Sequence, residues 1–144
     1  MTYLDASALV SLFMPDAHTP AIRSHLRRAC PAIGIGDFTA AEFAAVTARR
    51  VRMRDLTPDQ GSRMLAVFDA WVAANAAPLA VDPADIRVAA AFVRRFEFGL
   101  RAPDALHLAV CQRLGLPLLT FDARQALAAA RLGLALDPAG VAAP

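Results

Sequence analysis

The chain has 144 residues, 57% of them hydrophobic and 19% charged, which excludes a disordered chain and predicts one domain over residues 1–144 with a single core. All 15 basic residues are arginine, so three sites that need a lysine are excluded: the P-loop nucleotide site, the Schiff-base site and the acidic pocket of receiver domains. The formal net charge of +2 is too small to indicate a nucleic-acid partner.

The sequence predicts neither a membrane helix nor a signal peptide. Long apolar stretches are interrupted; Asp69 and Asn75, for example, break the stretch 64–81. The amino terminus has no basic segment ahead of an apolar one, so the expected location is cytoplasmic. Cys30 and Cys111 are too few for a disulfide framework and lack a CxxC spacing, so both are expected to be reduced and mostly buried.

The first strand ends at the carboxylate of Asp5. Ser7 is a candidate cap for a short helix that follows it. A proline-rich turn then leads to a predicted helix over 21–29. Residues 32–36 are apolar and contain two glycines, which indicates a second, buried strand whose backbone lies close to a neighbour.

Two helices are predicted to follow the second strand. Thr39 and Glu42 match a capping box, so the first of them is expected to begin at Thr39. The second is expected to begin with Thr57 as cap and Pro58 at its first position. Because the connection between them is short, the two helices are expected to pack as a hairpin.

The second half of the chain continues the alternation of strands and helices. Two strands are predicted over 78–81 and 116–121, with an edge strand over 134–136 as a further candidate. Helices are predicted from Asp82 to Val93, over 103–114 and over 127–132. Such alternation predicts an α/β fold with a parallel sheet of four to five strands covered by helices on both faces.

Four carboxylates fall near the amino ends of helices, where the helix dipole and free N–H groups favour negative charge. They are Asp5, Glu42, Asp104 and Asp122. Each alone is explained as a helix-start residue, and the capping box accounts for Glu42. Several at one edge of a parallel sheet are less easily explained in this way, because ligands bind at that edge.

Carboxylates brought together at one edge need a cation. Two unit charges about 4 Å apart repel by roughly 4 kcal/mol at an effective dielectric constant near 20. Oxygen ligands without histidine or cysteine favour Mg²⁺ or Mn²⁺. No histidine pair has ligand spacing, so zinc is not expected. A site of this kind is suited to hydrolysis of phosphodiesters by a metal-activated water.

Four motifs in order carry a family resemblance. They are YLDASAL at 3–9, TAAE at 39–42, RAPDALHLA at 101–109 and LTFD at 119–122. Together they resemble the PIN-domain ribonucleases, specifically the VapC-type toxins of bacterial toxin–antitoxin pairs. The resemblance implies a Rossmann-like parallel sheet, Mg²⁺- or Mn²⁺-dependent endoribonuclease activity, homodimers and inhibition by a cognate VapB-type antitoxin. By position it assigns the catalytic and metal-binding roles to the four carboxylates, Asp5, Glu42, Asp104 and Asp122.

Hydroxyl and basic residues near these acids have alternative roles. Ser7 and Thr120 match hydroxyl positions that orient a carboxylate or a bound water, and they serve equally as a helix cap and a strand-end hydrogen bond. Arg101 is a candidate phosphate-binding residue, with a surface arginine as the favoured alternative.

Two further polar residues each have two alternative roles. Asp37 is either a fifth acid at the site or an outward-facing turn residue, and the turn is favoured. His107 lies three residues after Asp104 and is either a general acid or base in the cleft or a hydrogen-bonded packing residue. Packing is favoured, and His107 is left out of the catalytic set.

Two rival functions remain. A catalytically silent PIN-like domain that binds RNA or serves as a scaffold has the same fold, although such a domain need not keep four acids. A phosphotransfer receiver or small hydrolase is disfavoured, because the chain has no lysine and no nucleophile–histidine arrangement. The RNA target cannot be read from the sequence.

Overall fold

The computed structural model describes residues 1–29 and 32–140. Four parallel strands form one sheet, in the order β3-β2-β1-β4. Their bounds are β1 Thr2–Leu4, β2 Ile33–Gly36, β3 Ala76–Leu79 and β4 Leu118–Leu119. An isolated parallel bridge between Leu118 and Leu136 extends the sheet beyond β4, where the sequence predicts an edge strand. The predicted parallel α/β architecture is therefore confirmed.

Seven α-helices are present among the described residues. They are α1 Ala6–Phe13, α2 Thr19–Ala29, α3 Asp37–Arg52, α4 Pro58–Asn75, α5 Pro83–Val93, α6 Ala102–Leu114 and α7 Ala123–Arg131, with a short 3-10 turn at Phe96–Phe98. The helices cover both faces of the sheet. Successive side chains of each strand point to opposite faces, so each strand contributes to both layers of the core. Tyr3 and Leu118 pack against α5, α6 and α7, whereas Leu4 and Leu119 pack against the first four helices.

Several predicted helix ends are confirmed by their hydrogen bonds. Thr57 caps α4 with a capping box to Gln60, and Pro58 occupies the first turn. Asp82 caps α5 through the Ala84 N–H. Gly115 ends α6 in the left-handed conformation, at φ 63°, which costs a glycine little. The helices α3 and α4 pack against each other as the predicted hairpin.

Two predicted caps are wrong. The cap of α1 is Asp5, whose side chain accepts the Ala8 N–H, and Ser7 lies inside the helix. The capping box at Thr39 and Glu42 does not form, because α3 begins at Asp37, immediately after β2, with Gly36 as an uncapped N-cap. Both side chains are thereby free for contacts with other elements.

Strand bounds also differ from prediction. β3 begins at Ala76, two residues before the predicted start, because α4 ends at Asn75 and continues directly into the strand. β4 comprises Leu118–Leu119 only, since Thr120 and the residues after it turn into the cap of α7.

The described residues include one of the two cysteines and seven α-helices. Cys111 is a buried free thiol as predicted, and burial raises its pKa far above the usual value. Cys30 lies outside the described residues. Within the described ranges, no helix is both long and apolar enough to cross a bilayer.

Candidate active site

Asp5 lies at the carboxyl end of β1, with 4% of the residue exposed. Its Oδ1 accepts hydrogen bonds from Ser7 Oγ at 2.7 Å and the Ala8 N–H at 2.9 Å, and its Oδ2 lies 2.7 Å from the donor Thr120 Oγ1. Burial raises the pKa of this carboxyl, and the hydrogen bonds from the three donors oppose that rise. Ser7 and Thr120 thus both donate hydrogen bonds to one candidate site carboxylate.

Asp104 and Asp122 are held on one guanidinium. Arg101 Nε and Nη2 donate to the two carboxylate oxygens of Asp104 at 2.9 and 3.1 Å. The same Nη2 lies 3.5 Å from Asp122 Oδ2. Asp122 also caps α7, where its Oδ1 accepts the N–H groups of Arg124 and Gln125. Asp104 lies in the first turn of α6, and Asp122 lies between β4 and α7. The starts of these two helices therefore bring the two acids to one place.

Arg101 is bound to carboxylates, although 64% of its side chain is exposed. The hydrogen bond to Asp104 raises its pKa, and the charges of Asp104, Asp122 and Glu42 act in the same direction. Glu42 therefore lies within electrostatic range of the guanidinium that contacts Asp104 and Asp122. The phosphate-binding role of Arg101 stays a prediction.

Glu42 reaches the site from α3 and pairs with a histidine. Its Oε2 lies 2.6 Å from His107 Nε2, and its side chain is 25% exposed. His107 is 3% exposed, and its Nδ1 lies 2.8 Å from the Tyr3 hydroxyl. The packing interpretation of His107 expected a buried, hydrogen-bonded ring, and that is what the structure has. Its partner, however, is a candidate catalytic acid.

Two buried residues connect the parts of the site and were missed in the sequence. Gln125 Nε2 donates to the Asp104 carbonyl at 3.3 Å, and its Oε1 lies 2.7 Å from Thr120 Oγ1. The Tyr3 hydroxyl joins His107 to Thr39. Tyr3 belongs to the first motif, and this was the one sequence signal that could have indicated a role at the site. Asp37 is exposed in the first turn of α3 and lies in no described contact with the other acids.

Arg101 contacts two of the four carboxylates, and the other two contact His107 and Thr120. Among the described residues, no group of three or more histidine, cysteine or acidic side chains is arranged to hold a metal ion. Mg²⁺, however, is commonly bound by one or two carboxylates together with waters and substrate phosphates. Asp104 and Asp122, which already share one positively charged nitrogen, fit that donor set.

The chain belongs to the PIN-domain family, whose model matches residues 2–131. The resemblance in the four motifs is thereby confirmed. The chain is 33% identical over 137 residues to Ribonuclease VapC46 of Mycobacterium tuberculosis, a match that covers 93% of this chain and 94% of that relative.

Solved structures support the same fold. The crystal structure of VapC20 of Mycobacterium tuberculosis, a toxin that cleaves the sarcin-ricin loop, superposes with a TM-score of 0.71 at 19% identity and covers 93% of this chain and 96% of that one. VapBC2 from Rickettsia felis, bound to a DNA fragment from its promoter, superposes with a TM-score of 0.64 at 14% identity and covers 95% and 98%.

Proposed function

We propose that this protein is a VapC-type toxin, an endoribonuclease that cleaves RNA phosphodiesters with the help of Mg²⁺ or Mn²⁺ and is held inactive by a VapB-type antitoxin. The observation that carries the proposal is the 33% identity to a VapC ribonuclease along nearly the whole chain. The position of Asp5 at the end of β1 and the contacts of Asp104 and Asp122 with one arginine support it.

Each acid has a role that follows from its contacts. Asp104 and Asp122 are the two best placed to bind the ion together, because Arg101 Nη2 already lies between them. Asp5 is fixed by three donors, so its carboxylate is oriented before substrate arrives. Glu42 is partly exposed and is held by His107.

Mg²⁺ or Mn²⁺, when bound, supplies a water of lowered pKa and neutralises charge on the scissile phosphate. In the hydrolysis, the water oxygen bonds to phosphorus and one P–O ester bond breaks, which leaves a phosphate on one RNA fragment and a hydroxyl on the other. Arg101, with its largely exposed side chain, is placed to bind a phosphate oxygen at the rim of the site. The carboxylates orient the attacking water and accept its proton.

The partner proposal rests on the relatives. VapBC2 of Rickettsia felis is among the matching structures, and a VapB-type protein is the partner we expect for this chain. A homodimer is likewise expected from the family resemblance. Light scattering of the free chain and of the chain with its antitoxin tests both assemblies.

The test of function is cleavage of bulk bacterial RNA by the purified chain. Cleavage is expected with millimolar Mg²⁺ or Mn²⁺, to stop with EDTA, to return when the metal is restored and to be blocked by the cognate antitoxin. RNA binding without cleavage under all these conditions would favour the silent PIN-like domain instead. Cleavage that continues in EDTA would overturn the metal dependence alone.

A further inference from the structure

A chain of hydrogen bonds runs from the core to Glu42. Thr39 Oγ1 lies 2.9 Å from the Tyr3 hydroxyl, the hydroxyl lies 2.8 Å from His107 Nδ1, and His107 Nε2 lies 2.6 Å from Glu42 Oε2. An ionised carboxylate only accepts hydrogen bonds, so Nε2 carries the hydrogen in that contact. Burial holds the pKa of Tyr3 well above its usual value, so its hydroxyl keeps a hydrogen to donate.

The surroundings hold His107 in one orientation. The rings of Tyr3 and Phe38 lie against its imidazole at centroid distances of 5.7 and 5.6 Å. A Cβ on Gly36 would lie 2.6 Å from the Tyr3 hydroxyl, so the absence of a side chain there leaves the space that the hydroxyl occupies. A histidine bonded at both ring nitrogens and in contact with two aromatic rings cannot turn without breaking a contact.

Glu42, in contrast, is flexible by nature and partly exposed. A glutamate has three rotatable side-chain bonds, and the described contacts give its carboxylate one partner, His107. The charge of Glu42 acts on Arg101, which binds both Asp104 and Asp122, so the position of Glu42 matters to the other acids. The rigid histidine is therefore what fixes the mobile acid in relation to the rest of the site.

We propose that His107 is a positioning residue for RNA cleavage, which acts through Glu42 by holding that carboxylate in the acidic site, with Tyr3 and Thr39 as its support. The proposal rests on the proposed function and assigns no contact between His107 and substrate. Its removal is expected to act on metal binding and turnover as the loss of an outer partner of a metal ligand does, by about 10- to 100-fold.

Two amide substitutions separate the two contacts of the imidazole. In His107→Gln the amide nitrogen replaces Nε2 and keeps a donor for Glu42, whereas in His107→Asn the shorter amide replaces Nδ1 and reaches only Tyr3. We expect His107→Asn to weaken Mn²⁺ binding by about 10-fold or more and His107→Gln to restore most of it. If His107 only supported the fold through Tyr3, the order of the two variants would be reversed.

Mn²⁺ binding is measured by calorimetry on the full chain without RNA, and cleavage of bulk bacterial RNA is measured alongside. His25→Gln is the matched control, because His25 Nε2 lies 3.3 Å from Oδ1 of Asp137, an acid outside the candidate site that bonds Thr2 at the start of β1. This control is expected to bind Mn²⁺ like the wild type.

A double-mutant cycle separates positioning from folding. If His107 acts through Glu42, adding His107→Asn to Glu42→Gln changes Mn²⁺ affinity by less than about twofold. A full, additive loss in the double variant overturns the proposal, as does wild-type Mn²⁺ affinity in His107→Asn. If the wild-type chain cleaves no RNA, the proposed function fails, while the Mn²⁺ measurements still decide the role of His107.

Discussion

Asp104→Asn is the substitution that best separates chemistry from stability. Both carboxylate oxygens of Asp104 accept hydrogen bonds from the Arg101 guanidinium. Its Oδ2 also accepts a hydrogen bond from the Arg101 backbone N–H at 3.3 Å. The ion pair contributes at most about 1 kcal/mol, because the arginine side chain is 64% exposed. The backbone hydrogen bond adds about 0.5–1 kcal/mol. Asparagine keeps one oxygen and removes the repulsion from Asp122, so the expected net loss is about 1 kcal/mol.

For a chain of this length, that loss corresponds to a fall in melting temperature of roughly 4 °C. Cleavage of bulk RNA is expected to fall more than about 100-fold, beyond the effect of removing an outer partner of a metal ligand. The assays are thermal unfolding followed by circular dichroism and gel analysis of RNA. Asp69→Asn, an exposed acid on α4, is the matched control and is expected to resemble the wild type in both.

Two results would refute this reasoning. Retained cleavage in Asp104→Asn would remove this carboxylate from the mechanism. A fall in melting temperature of more than roughly 10 °C would show that the residue supports the fold far more than an exposed ion pair can, and the loss of activity would then have a structural cause.

Other substitutions test the electrostatics and packing. Mg²⁺ at 100 times its Kd is expected to stabilise the fold by about 2.7 kcal/mol. Arg101→Ala should enlarge the metal-induced rise in melting temperature, because two carboxylates lose their counter-charge. An equal or smaller rise in the variant would contradict this expectation. Arg113→Met leaves Asp85, which is 1% exposed, without its bidentate partner and should cost about 2 kcal/mol in urea unfolding, below the value for a fully buried pair. The hydrogen bond from Arg113 lowers the pKa of Asp85, so its stabilisation is present above the unfolded pKa and lost as pH falls; the difference between wild type and variant should shrink from pH 6 to 3, and a constant difference would exclude this cause. Gly36→Ala should cost about 1–3 kcal/mol in the same assay, because its Cβ would displace the Tyr3 hydroxyl; unchanged stability would mean that the strand can shift to admit it.

The fold and the acidic edge could be predicted because both depend on local patterns. Asp5 and Asp122 each follow a short apolar strand, and parallel strands end at a common edge. The pairing of Glu42 with His107 could not be predicted, since it joins residues 65 apart in the chain. Eight consecutive residues of α6, from Asp104 to Cys111, are buried, so no polar face indicated where His107 would point.

The start of α3 was mispredicted for a related reason. Thr39 and Glu42 have the spacing of a capping box, but β2 continues directly into the helix and places both inside it. Their polar atoms then bond Tyr3 and His107 on other elements. A local motif and a tertiary contact competed for the same two side chains, and the tertiary contact prevailed.

The strand order also determines when, during synthesis of the chain, the candidate site can form. β1 is made first but lies between β2 and β4, and β4 is made only at residues 118–119. The hydrogen bond between Asp5 and Thr120 can therefore form only after residue 120 has been synthesised. The contact of Asp122 with Arg101, which also binds Asp104, likewise requires residue 122. The candidate site is therefore incomplete through most of the synthesis of the chain.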